Sequence, residues 1–221
     1  MDNIQPHGFF FTPPLQANFW GHIMEEMWKS RIYDPYLPLK KGGIALDIGA
    51  NVGLVSYFLS LHFEKVFSIE PSTEHINNLT TMINYNKIDN ITPIKKAIYI
   101  QNGTFAFGGP ENNKTMRSLH MNTPGWKEEE KVEAITLDKL FEDYKIEHVN
   151  LMKMDIEGSE VEVFSHPTFL KVADKIDVII TERHAWSGRH PNQLNEALQN
   201  AGFKIEQIPN SADLVVAKRD G

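Results

Sequence analysis

The sequence predicts an α/β fold of three layers, with helices on both faces of a mostly parallel sheet. Three observations lead there. Short apolar runs alternate with helical patterns from Gly43 to Gly202. The first run ends on a glycine-containing turn, Gly49-Ala50-Asn51-Val52-Gly53, that opens a helix. The chain closes on two β-like runs separated only by Pro209 to Asp213, enough for a hairpin but too short for a parallel crossover.

Residues 1–42 read as a helical extension ahead of a 43–221 domain. A Pro-rich, aromatic lead-in is followed by Trp20, Ile23, Met24, Met27, Trp28 and Ile32 at helical spacing, a stripe suited to packing. Asp34-Pro35 and Leu37-Pro38 break that helix. Ile44–Ile48 is the first strand, and a helix runs from the glycine turn to about His62. Lys65–Ile69 is the second strand, ending at Glu70-Pro71, and Ser72 caps the next helix with Glu74 in its first turn. Ile91–Ile100 reads as a third strand and Gly103–Phe107 as a short extra one. Residues 108–126 form a polar loop of lid length, with Gly108-Gly109 and Pro124-Gly125 as hinges. Val132–Ile135 is an edge strand and Leu137–Tyr144 a short helix. Val149–Met154 and Ile176–Thr181 are the fourth and fifth main strands, ending at Asp155 and Glu182. Asn192–Ala201 is helical and stops at Gly202. The last two strands, Phe203–Ile208 and Leu214–Ala217, distinguish this sheet from a dinucleotide-binding one, which finishes on a parallel strand.

The composition narrows the function. At 221 residues the chain holds one full α/β core. Its 22 Lys and Arg against 29 Asp and Glu give a net charge of −7, which argues against a nucleic-acid partner held through phosphates. The absence of cysteine excludes disulfides, thiolate zinc and a Cys nucleophile. The start of the chain lacks the basic region of a signal peptide, and no window approaches the roughly 20 apolar residues of a membrane span. The expected setting is the cytoplasm, with no membrane partner. The oligomeric state is open, a homodimer included.

The glycine turn points to an adenosine-containing ligand. Glu70 follows Asp47 by 23 residues and ends the second strand, where ribose hydroxyls would lie. Asn51 stands at a middle-glycine position, and Asn tolerates positive φ well. A dinucleotide would place its pyrophosphate at this turn, where Asp47 would repel it. S-adenosylmethionine has no phosphate and offers an ammonium for a carboxylate to pair with. The rival readings are a nicotinamide-dependent oxidoreductase and a non-catalytic module that keeps the pocket.

The segments LDIGANVG (46–53), SIEPS (68–72), AITLDKLF (134–141) and LMKMDIEGSEVEVF (151–164), in that order, resemble the FkbM family of S-adenosylmethionine-dependent methyltransferases. The resemblance covers residues 43–184. It implies a Rossmann-like class I methyltransferase fold, with seven strands in the order 3-2-1-4-5-7-6. It also implies methyl transfer, usually to oxygen, on sugar, polyketide or related hydroxyls. Asp47, Gly49, Asn51, Gly53 and Glu70 are thereby expected to contact S-adenosylmethionine, with Ser72 and Ala97 added to the cofactor-binding set.

Asp155 and Glu182 end adjacent main strands at the edge where the transferred methyl would lie. Two readings stand for them: ligands of Mg²⁺ or Ca²⁺ that lower the pKa of an acceptor hydroxyl, or acids satisfied by helix N-termini. Glu157 and Glu160 read as helix N-terminal residues. His184 is the best-placed histidine for a general base, since an ordinary imidazole titrates near neutrality; the alternative is a surface loop histidine. His190 and His120 are weaker candidates. Asp155 and His184 are the catalytic pair expected here.

Overall fold

The computed structural model describes residues 27, 29–111, 116–119, 125–188, 190–208 and 213–219. Its elements run β1 (Ile44–Ile48), α1 (Leu54–His62), β2 (Lys65–Ile69), α2 (Thr73–Tyr85), β3 (Ile91–Ile94), β4 (Ala97–Ile98), β5 (Gly103–Pro110), β6 (Trp126–Ile135) and α3 (Leu137–Asp143). They continue with β7 (Val149–Met154), α4 (Glu160–Ser165), α5 (Pro167–Leu170), β8 (Ile176–Glu182), α6 (Pro191–Asn200), β9 (Lys204–Gln207) and β10 (Leu214–Lys218).

The main sheet has seven strands in the order β3-β2-β1-β7-β8-β10-β9. The first five are mutually parallel, and β10 is antiparallel to both its neighbours. This is the expected order, closed by the expected hairpin. Central β1 is covered on both faces, so its side chains alternate between two apolar layers. Leu46 and Ile48 join Phe67, Met152 and Ile179 on one side. Ala45 joins Leu54, Phe58, Leu151 and Val216 on the other. Each layer buries enough aliphatic and aromatic surface to hold its helices, at about 1.5–3 kcal/mol for a fully buried large side chain.

Four expectations change. The third strand is not continuous: β3 stops at Ile94, and after Lys95-Lys96 the chain resumes as β4, in a second sheet of order β4-β6-β5. β6 is ten residues long and central to that sheet rather than a short edge strand. Gly108 and Gly109 are not hinges but β5 residues paired with Glu128 and Lys127, with a register shift between Phe107 and Gly108. The loop is correspondingly shorter, and its described part is anchored, Ser118 exchanging backbone hydrogen bonds with Gly108 at 2.8 and 3.2 Å.

Of the N-terminal stripe, Trp20, Ile23, Met24 and Trp28 lie outside the described residues, as does His120. Met27 and Tyr33 are buried in the same layer as α1. Both also line the cavity described below.

Candidate active site

A cavity of ≈ 410 Å³ opens at the carboxyl ends of β1, β2, β7 and β8, roofed in part by Phe107 and by Arg117–Leu119 from the second sheet and its loop. That volume suits a cofactor or drug-sized ligand. Strand order reverses beside β1, which makes this edge the usual binding crevice of an open α/β sheet.

Gly49, Asn51, Glu70 and Ala97 are among the residues that line the cavity, and Asp47, Gly53 and Ser72 are not. Gly49 has φ +78°, and a Cβ there would lie 1.7 Å from the Asp155 carbonyl oxygen, so the turn can press against the end of β7 only as glycine. Asn51 adopts φ 51°. Glu70 Oε2 accepts from the Asn51 amide and Oε1 from the Ser72 amide, both at 2.9 Å. One buried carboxylate thus ties the β1 turn to the β2 turn and faces the cavity. The Ser72 hydroxyl caps α2, accepting from the His75 amide.

Gly53 serves packing. Its φ is +92°, and a Cβ would meet Leu79 Cδ1 at 2.2 Å and Met82 Cε at 2.7 Å, so it lets α1 approach α2. Gly53→Ala should therefore lower stability by about 1–2 kcal/mol, roughly 2–8 °C in Tm, while S-adenosylhomocysteine still raises the variant's Tm as it does the native one. Loss of the ligand-induced shift, with Tm unchanged, would return Gly53 to the cofactor contacts.

Asp47 is fully buried and pairs in register with Lys153 on the neighbouring strand. Lys153 Nζ donates to the Gly49 carbonyl at 3.1 Å and lies 3.4 Å from Asp155 and 3.7 Å from Asp47. The Ser56 hydroxyl donates to Asp47 Oδ2 at 2.5 Å. Burial pushes the Asp47 carboxyl up, against the opposing pull of Lys153 and Ser56. Burial works against the Lys153 charge too, but Asp155 and Asp47 hold its pKa above the ordinary lysine value. The cation facing the cavity here was not foreseen from the sequence.

At the ends of β7 and β8, Asp155, Glu157 and Glu182 line the cavity wall. Glu157 has φ 57° and is followed by Gly158 at φ 105°. This doubled left-handed step turns Glu157 back toward Asp155. Glu160 behaves as a helix N-terminal acid, accepting from the Ile156 and Gly158 amides at 2.8 and 3.0 Å. His184 is no surface residue: its side chain is 5% exposed, with Nε2 3.4 Å from both Asp155 Oδ1 and Glu157 Oε2. Burial and Asp155 push the Glu157 carboxyl up to about 9, against the pull of His184. Burial disfavours the His184 imidazolium, but Glu160, Asp155 and Glu157 outweigh it and push the pKa up to about 10. A ring that keeps its proton at neutral pH is a poor base. His190 is engaged elsewhere, capping α6 through Nδ1.

The sequence reading also passed over Arg117. Its buried guanidinium donates to Ser72 and Glu74 at 3.1 Å each and pairs with Glu129 at 2.6 Å, joining the second sheet to α2 beside the cavity. Buried polar atoms without a hydrogen-bond partner among the described residues gather at this site. Asn51 Oδ1, Arg117 Nε, Asp155 Oδ1 and Thr181 Oγ1 all belong to cavity-lining residues. Such atoms are costly unless a ligand or water completes them. With the Glu70 carboxylate they fit a polar ligand such as S-adenosylmethionine.

Residues 47–205 match the model of the FkbM methyltransferase domain, well over half of the chain. The chain belongs to the FkbM methyltransferase family. With that family goes classification as an S-adenosylmethionine-dependent methyltransferase, and the oxidoreductase reading falls away. This FkbM chain is similar to the hexuronic acid methyltransferase AglP of Haloferax volcanii, with 23% identity over 214 residues, 92% of this chain and 85% of that protein. It superposes on the FkbM methyltransferase of Methylobacillus flagellatus KT with a TM-score of 0.55 and 17% identity, over 82% of this chain and 44% of the other. It therefore spans less than half of that relative's length. SMU.1697c of Streptococcus mutans, a methyltransferase fold crystallised with SAH, superposes with a TM-score of 0.50 and 13% identity over 86% of this chain and 97% of the other. At these identities the two structures speak for the fold alone. No helix among the described residues is long and apolar enough to cross a membrane.

Proposed function

We propose that the protein methylates a hydroxyl of a small, sugar-like acceptor with S-adenosylmethionine as donor. The observation that carries this reading is a single cavity with Glu70 at one end and Asp155, Glu157 and Glu182 at the other. Bound there, S-adenosylmethionine supplies an electrophilic methyl that an acceptor oxygen takes in line. Glu70 would accept from the ribose hydroxyls, holding them against the Asn51 and Ser72 amides it already orients. Gly49 would leave room for the ligand backbone, and Ala97 a small apolar contact for the adenine.

The acceptor would occupy the acidic end, where carboxylates can take hydrogen bonds from several hydroxyls. The relative named for hexuronic acid supports a sugar as acceptor class. The chain's contribution would be alignment and exclusion of water, with Asp155 on the cavity wall placed to take the leaving proton. The proposal extends to a divalent cation at this end. The sequence places Mg²⁺ on Asp155 and Glu182, and both carboxylates line the cavity.

Methyl-labelled S-adenosylmethionine should deliver its label to hexuronic or neutral hexose glycosides and not to an oligoribonucleotide. The methyl should survive mild alkali, as an ether does. An alkali-labile methyl would move the acceptor atom to a carboxylate, and transfer to RNA alone would overturn the reading.

A further inference from the structure

We propose that Asp155, Glu157 and His184 form a three-ligand site for a divalent transition-metal ion, with the open coordination position facing the acceptor end of the cavity. The inference rests on the acceptor reading above for its purpose, but not for its evidence. One ligand atom from each residue lies within 4.8 Å of the others. The His184 Nε2 distances to Asp155 Oδ1 and Glu157 Oε2 are both 3.4 Å. Ligands bonded at about 2.1 Å to a tetrahedral ion are separated by about 3.4 Å, which both histidine-to-carboxylate distances match.

His184 supplies a second, independent argument. Its side chain is only 5% exposed, and both ring nitrogens face carboxylate oxygens. Nε2 is aimed between the two carboxylates. Nδ1 lies 3.0 Å from Glu160 Oε1, whose orientation is fixed by the Ile156 and Gly158 amides. A carboxylate behind a ring nitrogen is the usual support of a metal-bound imidazole, since it selects the tautomer that leaves the other nitrogen free to ligate. Asp155 Oδ1, the third partner, is buried without a hydrogen bond.

The ligand types decide the ion. Mg²⁺ and Ca²⁺ prefer all-oxygen sets, as Asp155 with Glu182 would have offered. An imidazole with two carboxylates suits Mn²⁺, Co²⁺ or Zn²⁺. Asp155 and Glu157 line the cavity and His184 does not, so an ion held by all three would meet an acceptor oxygen on the cavity side. Three protein ligands with one position open is the arrangement of catalytic rather than structural sites.

The test uses the full chain, stripped with chelator and titrated with Mn²⁺ or Co²⁺ alone, with neither methyl donor nor acceptor present. One ion per chain should bind. Glu157→Gln should weaken binding at least tenfold and Glu182→Gln less than about threefold. Should Glu157→Gln fail to fold, the native chain still decides. Bound Co²⁺ should show the intense visible absorption of four- or five-coordination and shift the His184 ring resonances. No stoichiometric binding, a six-coordinate aqua-like Co²⁺ spectrum, or native affinity in folded Glu157→Gln would overturn the site. Parallel calorimetry with S-adenosylhomocysteine separates the two proposals: if it binds while the ions do not, only the metal inference fails.

Discussion

Glu70→Ala should weaken S-adenosylhomocysteine binding by about 100-fold or more, read by calorimetry. A charged acceptor that receives hydrogen bonds is worth about 1.5–3 kcal/mol for each bond, and a ribose offers two hydroxyls. Every 1.4 kcal/mol is tenfold in affinity. The same substitution also strands the Asn51 and Ser72 amides that Glu70 now accepts from at 2.9 Å, which should lower Tm in the absence of ligand. Glu70→Gln separates the two effects. It keeps one acceptor but turns an amide NH₂ toward a backbone N–H, so an intermediate loss of affinity is expected. A folded Glu70→Ala protein that binds within threefold of native would place the adenosine elsewhere.

Much of the frame was legible because local signals agreed with the tertiary ones. β1, β2, β7 and β8 are short apolar runs, each followed at the sheet edge by a polar residue or a glycine turn. The closing hairpin followed from a connection too short to cross over. The second sheet was obscured for a physical reason. β6 begins Trp126-Lys127-Glu128-Glu129-Glu130-Lys131, and most of those residues are exposed. That first half is largely exposed and carries no hydrophobic alternation to read. β3 and β4 are separated by only two lysines, which change the sheet without interrupting the apolar pattern.

The site was legible where it depends on position along one strand end, and hidden where it depends on register or on turn shape. Asp47 was read as facing a ligand's ammonium. That Lys153 lies beside it follows from the pairing of β1 with β7, which no linear spacing contains. Glu157 read as a helix-capping acid because only its left-handed backbone, followed by Gly158, folds it back beside Asp155. A Glu-Gly pair directly after a strand-ending aspartate was the available clue. For His184 the position was foreseen but not the carboxylates around it, which change its protonation.

Lys153→Met should destabilise the protein by about 3–5 kcal/mol near neutral pH, because it leaves a buried carboxylate without its cation. For a chain of this length that corresponds to a fall of roughly 6–20 °C in Tm. Asp47 is fully buried and has Lys153 as its cationic neighbour, whereas Asp155 is 28% exposed and can turn to water. The pH dependence distinguishes this cause from lost packing. In the native protein the Lys153 pKa is held above its unfolded value by Asp155 and Asp47, although burial opposes it. Its stabilising charge is therefore present throughout the neutral range and lost only in strong alkali. In the variant, Asp47, already raised in the native protein by burial despite Lys153, loses that opposing charge and keeps only the Ser56 hydrogen bond against burial. The unfolded chain then gives up the Asp47 proton at a lower pH than the folded one, so stability falls as pH rises from the ordinary carboxylate value through the raised pKa of the folded state. Lowering the pH from 7 to 5 should narrow the Tm gap between variant and native protein. Asp47→Asn in the Lys153→Met background should recover most of the loss, since no buried charge then remains unpaired. A gap that is independent of pH and unchanged by Asp47→Asn would mean that Lys153 acts through packing of its methylene chain, not through its charge.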